Sequence, residues 1–258
     1  MLVREFKNTL RDASPVPDPV TRSLNSTDRD HGQCGLGVLL TNFVEVTFTC
    51  FRISGLRMKD STMQIRQLHI PVTVADYLAG ERAPGSVIRH QYLNGEVWAM
   101  AGESLEHSTI CTHLIYLLVG QLRGKPCRAL SPNMKVRTNP TGLYSYPDLT
   151  VVCGEPIFHD EHRDVLVNPT VIVEVLSPTT EAFDRGTKWI CYQQIATLSD
   201  YLLIAQNRPF IEHYVRQTDG RWLYSIAESL AASVEIASID CRIPLAEVYE
   251  RIEFAGDG

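Results

Sequence analysis

The stretch VIVEVLSPTTEAFDRGTK, residues 171–188, sets the first expectations for the fold. Its first six residues are apolar except for Glu174, and such a short run, rich in β-branched residues, is typical of a buried strand. Ser177 and Pro178 then match an N-cap followed by proline at the first helical position, which predicts a helix to about Ala196. A buried carboxylate is costly unless it is paired, protonated or bound to a metal, so Glu174 marks a candidate site.

A second acid stands at the start of a neighbouring extended run. Asp148 follows Pro147 and precedes LTVVC, residues 149–153. If the two runs are adjacent strands, Asp148 and Glu174 lie close enough to repel each other as bare anions, and a divalent cation relieves that repulsion. Carboxylate oxygens are the ligands that Mg²⁺ and Mn²⁺ prefer. Asp148 and Glu174 are therefore candidate ligands of Mg²⁺ or Mn²⁺. The alternative is that Glu174 is a strand acid that only forms a salt bridge, to Lys135 or Lys188.

A lysine follows these acids on the predicted helix. Lys188 is four residues after Asp184, so the two share a helical face that extends to Tyr192. An ammonium beside the acids would orient a water or stabilise the charge that develops on a phosphate. Two alternatives stay open at this point: Lys188 pairs only with Asp184 on a solvated face, or Lys135 supplies the ammonium from its own strand.

The rest of the chain alternates strand and helix patterns. Thr73 is placed to cap a short helix, and Asn94-Gly95 between two extended runs predicts a hairpin. A helical pattern covers 107–124, and a short closing helix is expected over 244–252. Further strands are predicted at 127–130, 134–138, 146–154, 170–176, 200–206, 210–217 and 221–228. This order predicts an α/β fold of the mixed α+β kind, with a mixed sheet flanked by helices.

The first 62 residues differ from the rest. They include a polar, turn-rich tract, 11–35, without a usable hydrophobic period, followed by an apolar segment that has no obvious partner. We therefore expect a poorly ordered N-terminal extension over 1–62 and a folded domain over 63–258. Met63 is a candidate internal start.

Composition limits the classes of function. The chain has 258 residues, 44% of them hydrophobic, and a formal net charge of −6, so no global basic field attracts nucleic acid, although a local cleft can still be positive. No uninterrupted apolar run is long enough for a membrane span. The seven cysteines are widely spaced without a CxxC pair, which favours reduced thiols and a cytoplasmic protein.

Several of these motifs together resemble one family. The chain is similar to the Uma family (Uma-two) of restriction-endonuclease-like proteins, assigned to the PD-(D/E)xK nuclease superfamily, over roughly residues 70–252. The resemblance is carried by NGEVWAM (94–100), His107, PD (147–148), EVLSPTTEAFD (174–184), Lys188, Tyr192 and YLLI (201–204). It implies a three-layer restriction-endonuclease-like core around a central mixed sheet. It also implies Asp148 and Glu174 as metal ligands and Glu96 as an additional acid.

The resemblance implies a metal-dependent endonuclease that hydrolyses phosphodiester bonds in DNA. Asp148, Glu174 and Lys188 would be catalytic. Leu176 occupies the position where the superfamily usually has lysine, so Lys188 would act from the helix instead. The accessory candidates are Glu96, His107, Lys135, Asp184 and Tyr192, and the candidates for phosphate contacts are Arg137 and Arg185.

An alternative stays open: a catalytically inactive module on the same fold that binds nucleic acid or protein. A homodimer is expected for the enzyme, because cutting both strands of a duplex needs two active sites.

Overall fold

The computed structural model describes residues 71–100 and 102–254. The predicted extension over 1–62 and the first residues of the predicted domain, 63–70, lie outside the described residues. The described chain forms several sheets, two of them mixed, with few helices, which confirms the predicted mixed α/β class.

The helices and strands follow in this order along the chain. The helices are α1 (Val74–Glu81), α2 (Leu105–Gln121), α3 (Glu181–Phe183), α4 (Trp189–Tyr192) and α5 (Leu245–Val248). A π-helical segment (Asp184–Lys188) joins α3 to α4, and a 3₁₀ turn spans Ala237–Ile239. The strands are β1 (His90–Leu93), β2 (Glu96–Ala99), β3 (Cys127–Leu130), β4 (Lys135–Arg137), β5 (Tyr144–Ser145), β6 (Leu149–Cys153), β7 (Val165–Leu166), β8 (Val171–Leu176), β9 (Asp200–Ala205), β10 (Phe210–Arg216), β11 (Trp222–Glu228), β12 (Ser233–Ile236) and β13 (Cys241–Pro244).

The largest sheet has six strands in the order β11-β10-β9-β8-β6-β3. Strands β8 and β9 are parallel, and the helical stretch 181–192 lies between them in the chain. The other neighbours in this sheet pair antiparallel. Every residue of β8 and β9 is buried, which accounts for their continuous apolar sequences.

The two faces of this sheet pack against different elements. Val173 and Val175 belong to a core shared with α2, β12–β13 and α5. Ile172 and Leu176 belong to a second core that includes Tyr192 of α4. Successive side chains of a strand point to opposite faces, so Glu174 faces the side of the helical stretch 181–192.

A second sheet has five strands in the order β2-β1-β5-β4-β7. The predicted hairpin is confirmed: β1 and β2 pair antiparallel around Asn94 and Gly95, whose φ angles are 51° and 90°. Positive φ at both turn positions is what a two-residue type I′ turn requires. Helix α1 covers this sheet with the ring of Tyr77, which stacks on Tyr92 at 5.2 Å.

The helix after β8 begins later and ends earlier than predicted. The hydroxyl of Ser177 accepts a hydrogen bond from the backbone N–H of Thr180 at 3.3 Å, in a turn that precedes the helix. The residue before a proline disfavours helical backbone, so the chain makes this turn first and α3 starts at Glu181. The helix ends at Tyr192, and residues 193–199 form turns.

The expectation of reduced cysteines is wrong for one pair. Cys127 on β3 and Cys153 on β6 are register partners and form a disulfide across the two strands. Their separation of 26 residues gives no hint of this, because strand register is set by tertiary pairing. Cys111, Cys191 and Cys241 are free and buried.

Four strands had no clear signal in the sequence. Strands β5, β7, β12 and β13 are short, and their residues do not alternate over a long enough run. Helix α5 covers only part of the helix expected over 244–252. None of the helices within residues 71–100 and 102–254 has the length and apolar character needed to cross a membrane.

Candidate active site

Strand register brings the two predicted acids together. Leu149 of β6 pairs with Val173 of β8 in antiparallel register, and one further step places Asp148 opposite Glu174. The backbone N–H of Val175 donates to Asp148 Oδ2 at 2.7 Å, which fixes the Asp148 carboxylate against β8. A carboxylate within β8 therefore lies next to one on the residue that precedes β6, its neighbour in the sheet.

Glu174 is held by two side chains from the helical stretch 181–192. Its Oε1 accepts a hydrogen bond from the Tyr192 hydroxyl at 2.8 Å and lies 3.1 Å from Lys188 Nζ. The Tyr192 oxygen is also 2.8 Å from Ser145 Oγ. Since the only hydroxyl hydrogen of Tyr192 points to Glu174, Ser145 is the donor in that second contact. Ser145 is a neighbour of the site that sequence reasoning did not identify.

The Asp184–Lys188 pair is buried, not solvated. Lys188 Nζ lies 2.7 Å from Asp184 Oδ1, and both side chains are at most 5% exposed. The backbone carbonyl of Asp184 also accepts a hydrogen bond from the Tyr201 hydroxyl at 3.1 Å. The structure therefore places Lys188 beside both Glu174 and Asp184, as the helical spacing predicted.

The electrostatics of this cluster favour a protonated Glu174. The pKa of Glu174 is raised to about 8: burial raises it most, Lys188 lowers it, and Asp184 and Asp148 add to the rise. Burial alone would lower the pKa of Lys188, but Glu174 and Asp184 outweigh it, so this pKa is raised and Lys188 stays an ammonium. Burial and the neighbouring acids thus shift Glu174 towards its protonated form.

Helix α2 contributes further polar groups at Asp148. His107 Nε2 lies 3.1 Å from Asp148 Oδ1 and 3.8 Å from Glu103 Oε2. Burial would lower the pKa of His107, but the hydrogen bond and charge of Asp148 raise it more strongly, so the net direction is upward. Burial also raises the pKa of the nearby Cys111 thiol. Glu103 and Cys111 were not predicted as site residues. Cys111 lies one helical turn after His107, whereas Glu103 lies just before α2, where helical spacing gives no signal.

A cavity of about 280 Å³ opens at the carboxyl end of β8. Its lining includes Leu176, two residues beyond Glu174, together with Arg185 and Arg208, but neither Asp148 nor Glu174. Arg185 Nε is 2.8 Å from Glu181 Oε1, and its Nη1 also contacts Glu212. Arg208 has no such carboxylate among its contacts in the described chain, and its guanidinium lies over the ring of Phe210 at 4.0 Å.

Three predicted candidates lie elsewhere in the fold. Lys135 is buried, and its Nζ is 3.2 Å from both Asp164 Oδ2 and the Tyr146 hydroxyl. Glu96 is exposed at the start of β2, beside the hairpin turn. The Arg137 guanidinium contacts His159 Nδ1 at 2.5 Å. Lys188, not Lys135, is therefore the lysine within contact of Glu174.

The chain is similar to several known proteins. Residues 74–240 match the model of the Uma2 family, described as putative restriction endonuclease. Two relatives come from Synechocystis sp. (strain ATCC 27184 / PCC 6803 / Kazusa). The uncharacterized protein slr1290 is 32% identical over 64% of this chain and 86% of its own length. The uncharacterized protein sll1609 is 31% identical over 64% of this chain and 91% of its own length.

A solved structure shares the fold. The crystal structure of a putative nuclease belonging to DUF820 from Anabaena variabilis ATCC 29413 superposes with a TM-score of 0.59. The match covers 71% of this chain and 100% of that chain at 15% sequence identity, so it supports the restriction-endonuclease-like architecture. On the family match, this chain belongs to the Uma2 family of putative restriction endonucleases, which supports a nuclease-like, hydrolytic function.

Proposed function

We propose that this protein is a Mg²⁺- or Mn²⁺-dependent endonuclease that hydrolyses phosphodiester bonds in DNA. One observation carries the proposal: Asp148, the residue before β6, is hydrogen-bonded to β8 beside Glu174, and Lys188 Nζ lies 3.1 Å from Glu174. Membership of a family of putative restriction endonucleases supports the reaction class. The metal, the DNA substrate and the residue roles are part of the proposal.

The residues fit a hard divalent cation. Glu174 is buried among negative groups, and its pKa is raised to about 8 by burial, with Asp184 and Asp148 adding to the shift. A cation between Asp148 and Glu174 would offset this excess of negative charge and favour the ionised form of Glu174. Carboxylate oxygens match the ligand preference of Mg²⁺ and Mn²⁺. Asp148 and Glu174 are therefore the proposed ligands.

The protein side chains have separate roles in the proposed reaction. A bound divalent cation supplies Lewis-acid polarisation of the phosphate and a more acidic water. Lys188 offers an ammonium at the same carboxylate, where it stabilises negative charge that develops on the phosphate. Tyr192 orients Glu174 through its hydroxyl, and His107 orients Asp148. Asp184 positions Lys188.

The cavity beside Leu176 is the proposed path of the DNA backbone. Arg208 is the favoured phosphate contact, because Arg185 is already paired with Glu181 and Glu212. Gln206 lines the same cavity and accepts a hydrogen bond from Ser104 at 3.2 Å, which ties the cavity to the start of α2. A local positive group can serve a polyanion even on a chain with a net charge of −6.

A second candidate function is a catalytically inactive module that binds nucleic acid or protein. One observation favours it: Lys188 is buried between Asp184 and Glu174, so the cluster can be a closed structural network. The two functions differ in whether a metal-dependent cut occurs.

A homodimer and a cytoplasmic location complete the proposal. The dimer is checked by light scattering coupled to size exclusion.

Nicking of supercoiled plasmid DNA tests the nuclease. Wild-type protein is assayed with Mg²⁺, with Mn²⁺ and with EDTA, beside Glu174→Gln and the control Glu235→Gln. Glu235 is exposed and lies on β12. We expect nicking that needs the metal, falls by about 100-fold or more in Glu174→Gln, and is unchanged in the control.

Two results would contradict the nuclease. Nicking that survives EDTA or the Glu174→Gln substitution argues against the proposed metal centre. No nicking on plasmid DNA with either metal, combined with retained DNA binding in a gel-shift assay, supports the inactive module.

A further inference from the structure

A second group of side chains that can bind a metal lies at the start of helix α2 and just before it. Glu103, His107 and Cys111 follow one another at intervals of four residues, and one ligand atom of each lies within 4.8 Å of those of the other two. Glu103 immediately precedes the N-cap of α2, Ser104, whereas His107 and Cys111 lie on the helix. These three side chains therefore form one group.

The spacing of the group is close to that of a tetrahedral site. Two ligands about 2.1 Å from one metal at a tetrahedral angle lie about 3.4 Å apart. His107 Nε2 is 3.8 Å from Glu103 Oε2, and the Cys111 sulfur lies within 4.8 Å of the ligand atoms of both.

The donor set differs in chemistry from the Asp148–Glu174 pair. It offers a thiol sulfur, an imidazole nitrogen and carboxylate oxygens, a combination that suits Zn²⁺ and related transition ions but not Mg²⁺. We propose that Glu103, His107 and Cys111 bind a Zn²⁺-class transition ion. Binding would release the Cys111 thiol proton and free the Nε2 lone pair of His107, with both protons passing to solvent.

The site is adjacent to the proposed nuclease centre but has its own ligands. His107 Nε2 lies 3.1 Å from Asp148 Oδ1, while Asp148 Oδ2 accepts the Val175 N–H. The inference does not rest on the proposed function, because occupancy of the site does not require catalysis.

Cobalt absorption tests the site without any DNA. Co²⁺ is titrated into the full-length, reduced protein, and thiolate ligation is read from the near-ultraviolet sulfur-to-cobalt charge-transfer band. The variants are Cys111→Ser, Glu103→Gln and the control Cys191→Ser, which changes a free buried thiol on α4. Circular dichroism of each variant checks the fold.

The inference predicts a charge-transfer band in wild type and in Cys191→Ser that is absent in Cys111→Ser. Glu103→Gln, a change at an exposed side chain, should keep the band but weaken the cobalt affinity by about 10-fold or more. The proposal is overturned if cobalt gives no such band, if the band survives Cys111→Ser, or if Glu103→Gln binds cobalt as tightly as wild type.

One further variant keeps the two proposals separate. Glu174→Gln should abolish nicking and leave the cobalt band intact, because Glu174 is not among the α2 ligands. A cobalt band in a protein that does not nick DNA would retain the α2 site and reject the nuclease. The reverse result, nicking without a band, would reject only the α2 site.

Discussion

At the scale of single residues, the decisive feature is a carboxyl group in an apolar strand. Glu174 is 2% exposed within β8, and the Tyr192 hydroxyl and Lys188 both reach its Oε1. Burial raises its pKa to about 8, and the anions Asp184 and Asp148 add to that shift. Without a cation, Glu174 is therefore shifted towards its neutral form, with Lys188 held between it and Asp184.

This protonation has a consequence for stability. Between the ordinary Glu value of 4.5 and about 8, the folded chain keeps a proton on Glu174 that the unfolded chain has lost. The unfolded state then binds fewer protons, so the free energy of unfolding falls as pH rises through this window. We expect the free energy of unfolding of metal-free Glu174→Gln to fall less than that of metal-free wild type between about pH 5 and about pH 8. Urea unfolding at the two pH values measures both falls. Equal falls in wild type and variant would contradict the raised pKa.

At the scale of elements, the stretch between β8 and β9 carries the site. Its π-helical segment, Asp184–Lys188, buries both residues at its ends, and their side chains contact each other at 2.7 Å. A π-helical turn inside an α-helix is a frequent feature of functional sites. It allows one short helix to present Lys188 and Tyr192 to Glu174 together.

Replacing only one partner of the Asp184–Lys188 pair should destabilise the protein more than replacing both partners. We expect Lys188→Met to destabilise the protein by about 3–5 kcal/mol, because Asp184 is left buried without its cation. The double variant Asp184→Asn/Lys188→Met should regain most of that loss while nicking stays absent. Chemical denaturation measures the first effect and the plasmid assay the second. Nicking by the double variant would remove Lys188 from the proposed mechanism.

The edge of the six-stranded sheet supports a second prediction at this scale. The Cys127–Cys153 disulfide closes a loop with a sequence separation of 26 and joins β3 to β6, the strand that follows Asp148. A cross-link over a loop of this length typically contributes about 2–4 kcal/mol. The free energy of unfolding of Cys127→Ser should be lower than that of wild type by that amount. Wild type treated with dithiothreitol should have the same free energy of unfolding as the variant. If dithiothreitol leaves the unfolding free energy of wild type unchanged, the disulfide is not formed in solution.

At the scale of the whole molecule, binding of a cation should increase the free energy of unfolding. A cation that binds only the folded state at about 100 times its Kd adds about 2.7 kcal/mol to the free energy of unfolding. At about pH 8, Mg²⁺ should raise the thermal midpoint of wild type but not that of Asp148→Asn/Glu174→Gln. At about pH 6 the increase should be smaller, because the cation must displace the Glu174 proton. An equal shift in wild type and double variant would place the Mg²⁺ site elsewhere.

Much of this organisation could be read from the chain itself. The apolar run of β8 with its single acid, the Asn94-Gly95 turn and the spacing of Asp184 and Lys188 are local signals, and local sequence largely determines strands, turns and helical faces. The same signals supported the family resemblance, and the family match confirmed it.

Contacts between distant segments required the tertiary structure. Register across β6 and β8 placed Asp148 opposite Glu174, and register across β3 and β6 joined Cys127 to Cys153. Packing buried Lys135 against Asp164 and brought His107 of α2 to Asp148. Sequence periodicity specifies which face a side chain occupies but not which segment lies opposite that face. That choice depends on strand pairing and on burial of the whole core.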